Sequence, residues 1–283
     1  MRSTTTWTVA TDQAVLTVRD HGSPDTPGPC FVLVHGFPDD HHVFDQLLEH
    51  MAGHRVITYG TRGSADAELA PGARVDLETL AEDLRQVIVS IPGSPEVVLV
   101  GHDWGAVQCW AALADKQLAQ QVRHHVSIAG PHLDHLRRQA RRAALRPARW
   151  RPTARQVARS WYAVALVLRP LQRWTIAGYL RQARRDLRGR RPDPMNLRRG
   201  ARLYARNVLP RMVAGPAPRC AVPTTVVHPS NDVFLGPVVL DELADWVDDL
   251  TVAIVPGGHW WPLDDPEVCT TLLVDVGDRA ASR

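Results

Sequence analysis

The stretch Glu96-Val97-Val98-Leu99-Val100-Gly101-His102-Asp103-Trp104-Gly105 decides the fold. Glu96–Val100 is the short, nearly unbroken apolar run of a strand buried on both faces, as in a parallel sheet. It passes directly into an alanine-rich helical stretch, Trp104–Asp115. A sharp strand-to-helix turn crowds its own backbone, and the small residues Gly101 and Gly105 around Asp103 supply the room. No G-x-S-x-G occurs anywhere in the chain, so the apex carries a carboxylate instead of a hydroxyl. An aspartate placed there is able to attack carbon and form an ester. The nearby helix N-terminus favours its anion. The plainer alternative is a helix N-cap.

Working outward, the elements alternate. Trp7–Thr11 and Ala14–Asp20 read as an opening antiparallel pair. Cys30–His35, Arg55–Tyr59, Val122–Ala129, Thr224–His228 and Thr251–Val255 read as further strands. Helices are expected at Asp76–Ser90, with Asp76 as N-cap, at Val238–Asp248 and at Asp265–Val276. Strands separated by helices imply βαβ units and a mostly parallel sheet.

At roughly 150 residues per domain, 283 residues allow one large domain or two ordinary ones. A composition of 45% hydrophobic and 22% charged residues excludes wholesale disorder and a small disulfide scaffold. Cys30, Cys109, Cys220 and Cys269 are scattered with no C-x-x-C pair, which fits buried, reduced thiols and a cytoplasmic protein. No run of about 18 apolar residues is present, and the N-terminal residues lack an apolar leader core.

The net charge of +3 hides an asymmetry. Residues 136–211 hold 22 Arg and two acids, Asp186 and Asp193, a balance of +20. The remainder has 11 basic and 28 acidic residues, and Lys116 is the only lysine. Residues 131–215 contain no strand-like run. They are expected to form a helical insertion, with helical stretches such as Thr153–Leu168 and Arg173–Leu187, within a body formed by residues 1–130 and 216–283. Pro147, Pro152, Pro170, Pro192 and Pro194 punctuate it, and helices tend to end before a proline. No nucleic-acid-binding module accompanies the arginines, so a nucleic-acid partner is not expected.

Two further motifs complete the set. His35-Gly36-Phe37-Pro38 ends the strand at Cys30–Val34. The loop after that strand and the residue after the nucleophile supply oxyanion-hole N–H groups, here Phe37 and Trp104. Pro38 is a candidate for a cis peptide bond. Gly257-Gly258-His259-Trp260-Trp261 lies where the chain order nucleophile–acid–His puts the general base. Asp232, after the strand Thr224–His228, is the expected partner carboxylate, fixing the imidazole tautomer, with Asp134 its rival. His41-His42 reads as a solvated loop. No metal-ligand spacing is present, and neither a metal nor an organic cofactor is expected.

The set HGFP, GHDWG, the Asp232 loop and GGHW resembles the α/β-hydrolase-fold epoxide hydrolases, from Val15 to Leu273. The resemblance implies an α/β fold with an inserted helical cap over the sheet. In this family cap tyrosines donate a proton to the epoxide oxygen. Ser160-Trp161-Tyr162 and Leu203-Tyr204-Ala205-Arg206-Asn207 match those tyrosine motifs, and Tyr179 is a weaker candidate. Ordinary packing within the cap is the alternative for each tyrosine. The implied reaction has two steps: Asp103 opens the epoxide to an alkyl-enzyme ester, then His259 and Asp232 activate water to release a vicinal diol. His35, Pro38 and Trp161 are expected to contact a small hydrophobic epoxide, in detoxification or lipid metabolism. Similar bacterial domains are followed by a short-chain dehydrogenase domain. No such extension is expected after Arg283, and no NAD site either.

One stretch departs from the family pattern D-x-R-G-x-G. Here it reads Tyr59-Gly60-Thr61-Arg62-Gly63-Ser64-Ala65-Asp66, which is expected to loosen the loop carrying His35. Two other functions compete. A haloalkane dehalogenase uses the same aspartate and base but needs a side-chain halide donor where this chain has Phe37. A catalytically weak hydrolase-fold binding module is the non-enzymatic alternative. The basic cap adds an expected attraction to acidic amphiphiles or a weak contact with an anionic membrane surface. Either a monomer or a homodimer is compatible with the sequence.

Overall fold

The computed structural model describes residues 4–213 and 218–282. Its strands, in chain order, are β1 (Thr5–Thr11), β2 (Ala14–Asp20), β3 (Cys30–Val34), β4 (Val56–Tyr59), β5 (Ala67–Leu69), β6 (Val97–His102), β7 (Val122–Ile128), β8 (Thr224–Pro229) and β9 (Leu250–Val255). They form one sheet in the order β1-β2-β4-β3-β6-β7-β8-β9, with β5 on β2. Pairings from β4 through β9 are parallel, and those of β2 with β1, β4 and β5 are antiparallel.

The unbroken apolar runs have a direct cause. Successive side chains on a strand point to opposite faces. On β3, Phe31 and Leu33 enter one hydrophobic core, while Cys30, Val32 and Val34 enter the other. On β6, Val98 and Val100 face the first core, and Val97 and Leu99 the second. Both faces are therefore covered by helices. These are α1 (Asp45–His50), α2 (Leu77–Val89), α3 (Trp104–Ala112), α4 (Lys116–Gln121), and near the end α10 (Trp261–Asp264) and α11 (Pro266–Ala281). Asp76 caps α2 by accepting the Thr79 N–H.

Among the described residues, five α-helices lie between β7 and β8: α5 (Leu133–Ala144), α6 (Pro147–Arg159), α7 (Trp161–Ala165), α8 (Gln172–Gln182) and α9 (Pro194–Val213). The expected junction at residues 215 and 216 lies outside the described residues. Much of the arginine excess of this segment is spent inward on the acidic body. Arg142 and Arg146 share Glu242, Arg149 meets Asp241, Arg188 meets Asp264, Arg190 meets Asp39, and Arg211 meets Glu78 and, within the insertion, Asp134. Arg199 donates to the carbonyls of Ser64 and Ala67. Asn207 brackets the start of α2, accepting from Leu77 N–H and donating to the Val75 carbonyl.

Several expectations are corrected. Val238–Asp248 is not a helix but two short 3-10 turns, Pro237–Leu240 and Leu243–Asp245. Glu242 between them is left-handed at φ 62°, and its carboxylate is held by Arg142 and Arg146. The stretch Thr153–Leu168 is broken at Ser160, where φ −95° and ψ 16° leave the helical region. Proline does not end every helix, since Pro152 and Pro210 lie inside α6 and α9. The short strand β5 and the helices α1 and α4 carry too few periodic residues to be read in advance.

Candidate active site

Asp103 sits at the N-terminus of α3, immediately after β6, with φ 52° and ψ −120°. A non-glycine residue in that region costs of order 1–3 kcal/mol and persists only where its surroundings enforce it. Here they do. A Cβ on Gly105 would lie 2.0 Å from the Val34 carbonyl oxygen, and one on Gly36 would lie 2.6 Å from the Asp103 side chain. The turn thus lifts the carboxylate above the sheet edge while β3 and its following loop press against it.

The Phe37 N–H donates to Asp103 Oδ2 at 2.8 Å. The Trp104 N–H is in the first turn of α3, where backbone donors have no intrahelical partner. The peptide between Phe37 and Pro38 is cis. Asp103 Oδ1 lies 3.5 Å from His259 Nε2, and His259 Nδ1 lies 2.8 Å from Asp232 Oδ2. Asp232 Oδ1 accepts the N–H groups of Phe234 and Leu235 at 2.7 and 2.9 Å. The structure therefore brings Asp103, His259 and Asp232, from three separate loops, into one line.

Electrostatics follow from burial and charge. Burial opposes a charge on His259, but Asp232 and Asp103 on its two ring nitrogens outweigh it and hold its pKa well above the ordinary value. Burial also opposes ionisation of Asp232. The charge and hydrogen bond of His259, with the two backbone donors, nevertheless keep it below the usual carboxylate range. Two carboxyl groups thus flank the His259 ring, and both favour its protonated form.

Tyr162 on α7 and Tyr204 on α9 line the same cavity as Asp103, Trp104 and His259. Their rings meet edge to face at 5.5 Å. Burial first, then neighbouring negative charge including Asp103, raises both pKa values, so both carry their protons. The Trp104 ring packs edge-on against Tyr204 at 4.9 Å. The cavity, about 290 Å³, runs from Asp103 past Leu133, Val157, Val164 and Leu209 and is bordered by Arg142, Arg146 and Arg149.

Other anticipated residues fall elsewhere. Trp161 stands over Gly178 and donates its indole N–H to Gln182, outside the cavity lining. His35 and Pro38 are buried behind the lining, so these three are not cavity contacts. His35 accepts the Thr61 N–H at Nε2, 3.1 Å, with Nδ1 on the Gly36 carbonyl. That backbone bond keeps the Tyr59–Asp66 stretch against the oxyanion loop, so the expected loosening is not seen. Arg62 there is buried on Asp83, and Asp66 is held by Arg19 and His41. His41 is accordingly buried, not solvated; His42 is exposed. Asp134 pairs with Arg137 and Arg211 and does not reach His259. Tyr179 stacks on Phe234 and packs against Phe37, outside the cavity lining.

Three residues to which the sequence assigned no role shape the site. Asp186, between α8 and α9, accepts the His259 N–H at 2.9 Å. His102 Nε2 meets the His259 carbonyl at 2.9 Å, and burial, then His259, lowers its pKa to about 4. Phe234 packs edge-on against His259 and Tyr162. Only the acid-poor background of Asp186, one of two acids among 22 arginines, hinted at its importance.

Comparison with known proteins places this geometry. Residues 29–266 match the alpha/beta hydrolase fold family. "Probable oxidoreductase EphD" of Mycobacterium tuberculosis is 28% identical over 296 residues, which cover 95% of this chain and 48% of that protein. The chain thus spans about half the length of that relative. "Epoxide hydrolase 3" of Xenopus tropicalis is 33% identical over 113 residues, 39% of this chain and 30% of the relative. A solved epoxide hydrolase of Bacillus megaterium superposes with a TM-score of 0.70 at 17% identity, covering 95% of this chain and 99% of that one. An epoxide hydrolase from metagenomes of hot environments superposes at 0.73, with 20% identity and coverage of 96% and 97%. No helix among the described residues is long and apolar enough to cross a membrane. With its parallel sheet, its strand-to-helix elbow at Asp103 and a family match over most of its length, the chain belongs to the alpha/beta hydrolase fold family.

Proposed function

We propose that the protein hydrolyses an epoxide to a vicinal diol through a covalent ester on Asp103. The observation that carries this reading is the shared cavity of Asp103, His259, Tyr162 and Tyr204. A carboxylate nucleophile faces two protonated phenols, the pairing that ring opening needs. The names of the epoxide hydrolase relatives support the same chemistry.

Oδ1 of Asp103 attacks an epoxide carbon while Oδ2, held by the Phe37 N–H, becomes the ester carbonyl oxygen. The C–O bond of the ring breaks, and its oxygen takes a proton from the Tyr162–Tyr204 pair. Alkylation removes the Asp103 charge, so one of the two supports for the His259 imidazolium disappears and its pKa falls. His259 then yields its proton to the tyrosinate through solvent, and the neutral imidazole, oriented by Asp232, takes a proton from water as the water oxygen bonds to the ester carbon. Phe37 and Trp104 N–H groups hold the oxyanion. Collapse breaks the ester C–Oδ1 bond, and the His259 proton goes to the departing oxygen. The acid proton left on Asp103 passes to His259, which restores the carboxylate and the imidazolium.

Phe37, whose side chain has no N–H, gives a dehalogenase no second side-chain halide donor. Incubation with styrene oxide and with bromohexane separates the two reactions. Diol from the first without bromide from the second is expected. Bromide release without diol would overturn the proposal, and neither product would favour a binding module.

A further inference from the structure

We propose that the outer face of α6–α8 docks on an anionic lipid surface, with the mouth of the Asp103 cavity opening onto it. The chain has no Asp or Glu between Asp134 and Asp186. While the inward arginines pair with the body, Arg151 and Arg155 on α6 and Arg181 on α8 form no ion pair among the described residues. Helix α6 buries none of its residues. Its more shielded positions, Arg149, Thr153, Gln156 and Ser160 just beyond it, face the cavity. Trp150, Ala154 and Val157 recur at helical spacing on the adjoining exposed side, with Val157 at its border with the cavity, flanked by Arg151 and Arg155.

The apolar exposure is large for residues of this kind. Trp174 is 70% exposed, Val157 65%, Trp150 57% and Val164 52%, with Leu168 and Leu171 beside them in sequence. Arg173 lies over the Trp174 ring. Tryptophan and arginine together suit a bilayer interface, where rings sit among headgroups and guanidinium groups meet phosphates. Charge complementarity selects anionic lipid, each cation near such a surface adding about fivefold to partitioning. Val157 and Val164 both face solvent and line the cavity that holds Asp103. An apolar molecule leaving the bilayer at this face would enter between them without crossing water.

The test is co-sedimentation with vesicles of phosphatidylcholine, alone or mixed with phosphatidylglycerol. Binding to the mixed vesicles only is expected. Arg151→Glu should weaken it at least about fivefold, whereas Arg279→Glu on α11, with the same change of net charge, should not. Trp150→Ala with Trp174→Ala should weaken it about tenfold while circular dichroism stays unchanged. Binding that is absent, insensitive to the tryptophans, or weakened equally by Arg279→Glu would overturn the proposal. So would equal binding to DNA, which marks a general polyanion surface, or a dimer abolished by the tryptophan variants, which marks a second copy as the occupant. No turnover enters this readout, so a failure of epoxide opening leaves it standing.

Discussion

The Asp186 carboxylate accepts the backbone N–H of His259 at 2.9 Å, so a residue of the helical insertion holds the peptide of the proposed base. The contact is close: a Cβ on the preceding Gly258 would meet Asp186 Oδ2 at 2.7 Å. With His102 on the carbonyl and Asp232 on the ring, the His259 residue is fixed at three points. Asp186 acts through His259 and is a positioning residue. Asp186→Ala should slow ester hydrolysis roughly tenfold, the worth of one charge-assisted bond, and spare ring opening. Asp186→Asn, which keeps an acceptor, should recover most of the loss. Pre-steady-state kinetics resolve the two steps; equal slowing of both would contradict the assignment.

The tyrosine pair allows a different separation. Tyr162→Phe with Tyr204→Phe should lower ring opening by about 10²–10⁴-fold, the usual worth of general acid catalysis. Hydrolysis of an ester already formed on Asp103 should be unaffected. A double variant that still opens styrene oxide at the parental rate would show that the proton comes from elsewhere.

The buried pair of His259 and Asp232 predicts a pH dependence of stability. A folded pKa raised above about 6.5 means that His259 stabilises the fold fully below that value, an effect lost as pH rises through the raised pKa. Asp232, held below its ordinary value, contributes above about 4 and loses that contribution on stronger acidification. Asp232→Asn should therefore cost roughly 3 kcal/mol at pH 6, with the deficit shrinking at alkaline pH. Thermal melts across pH check this. A deficit that grows with rising pH would contradict it.

Behind the sheet, His125 is buried with both ring nitrogens unpartnered and its edge on Trp110 at 4.6 Å. Burial, then His124, lowers its pKa to about 3. The unfolded chain takes up this proton near pH 6.5 and the folded one does not, so the residue destabilises the fold as pH falls. His125→Phe keeps the ring and removes the titration. It should gain about 2 kcal/mol at pH 5 relative to pH 7.5 in urea unfolding. An equal effect at both pH values would refute the assignment.

The sheet was legible because both faces of β3 and β6 are apolar, which leaves an unbroken run in the chain. The elbow was legible because its glycines answer steric demands close in sequence. Val238–Asp248 misled because its apolar spacing is helical, while Glu242 is drawn out of the helix by arginines about 100 residues away. Trp161 sits beside Tyr162, yet one step around a helix turns it from the cavity toward Gln182. Asp186 meets His259 across 73 residues. No local pattern encodes such contacts.

The central claim is the covalent ester on Asp103. Replacing His259 by Gln removes the base for the second step and leaves Asp103 and the tyrosines in place. After incubation with styrene oxide, peptide mass spectrometry should find the Asp103 peptide heavier by one intact epoxide, and Asp103→Ala should abolish both adduct and turnover. An unmodified Asp103 peptide in the His259→Gln protein, under conditions where the parent forms diol, would contradict the account.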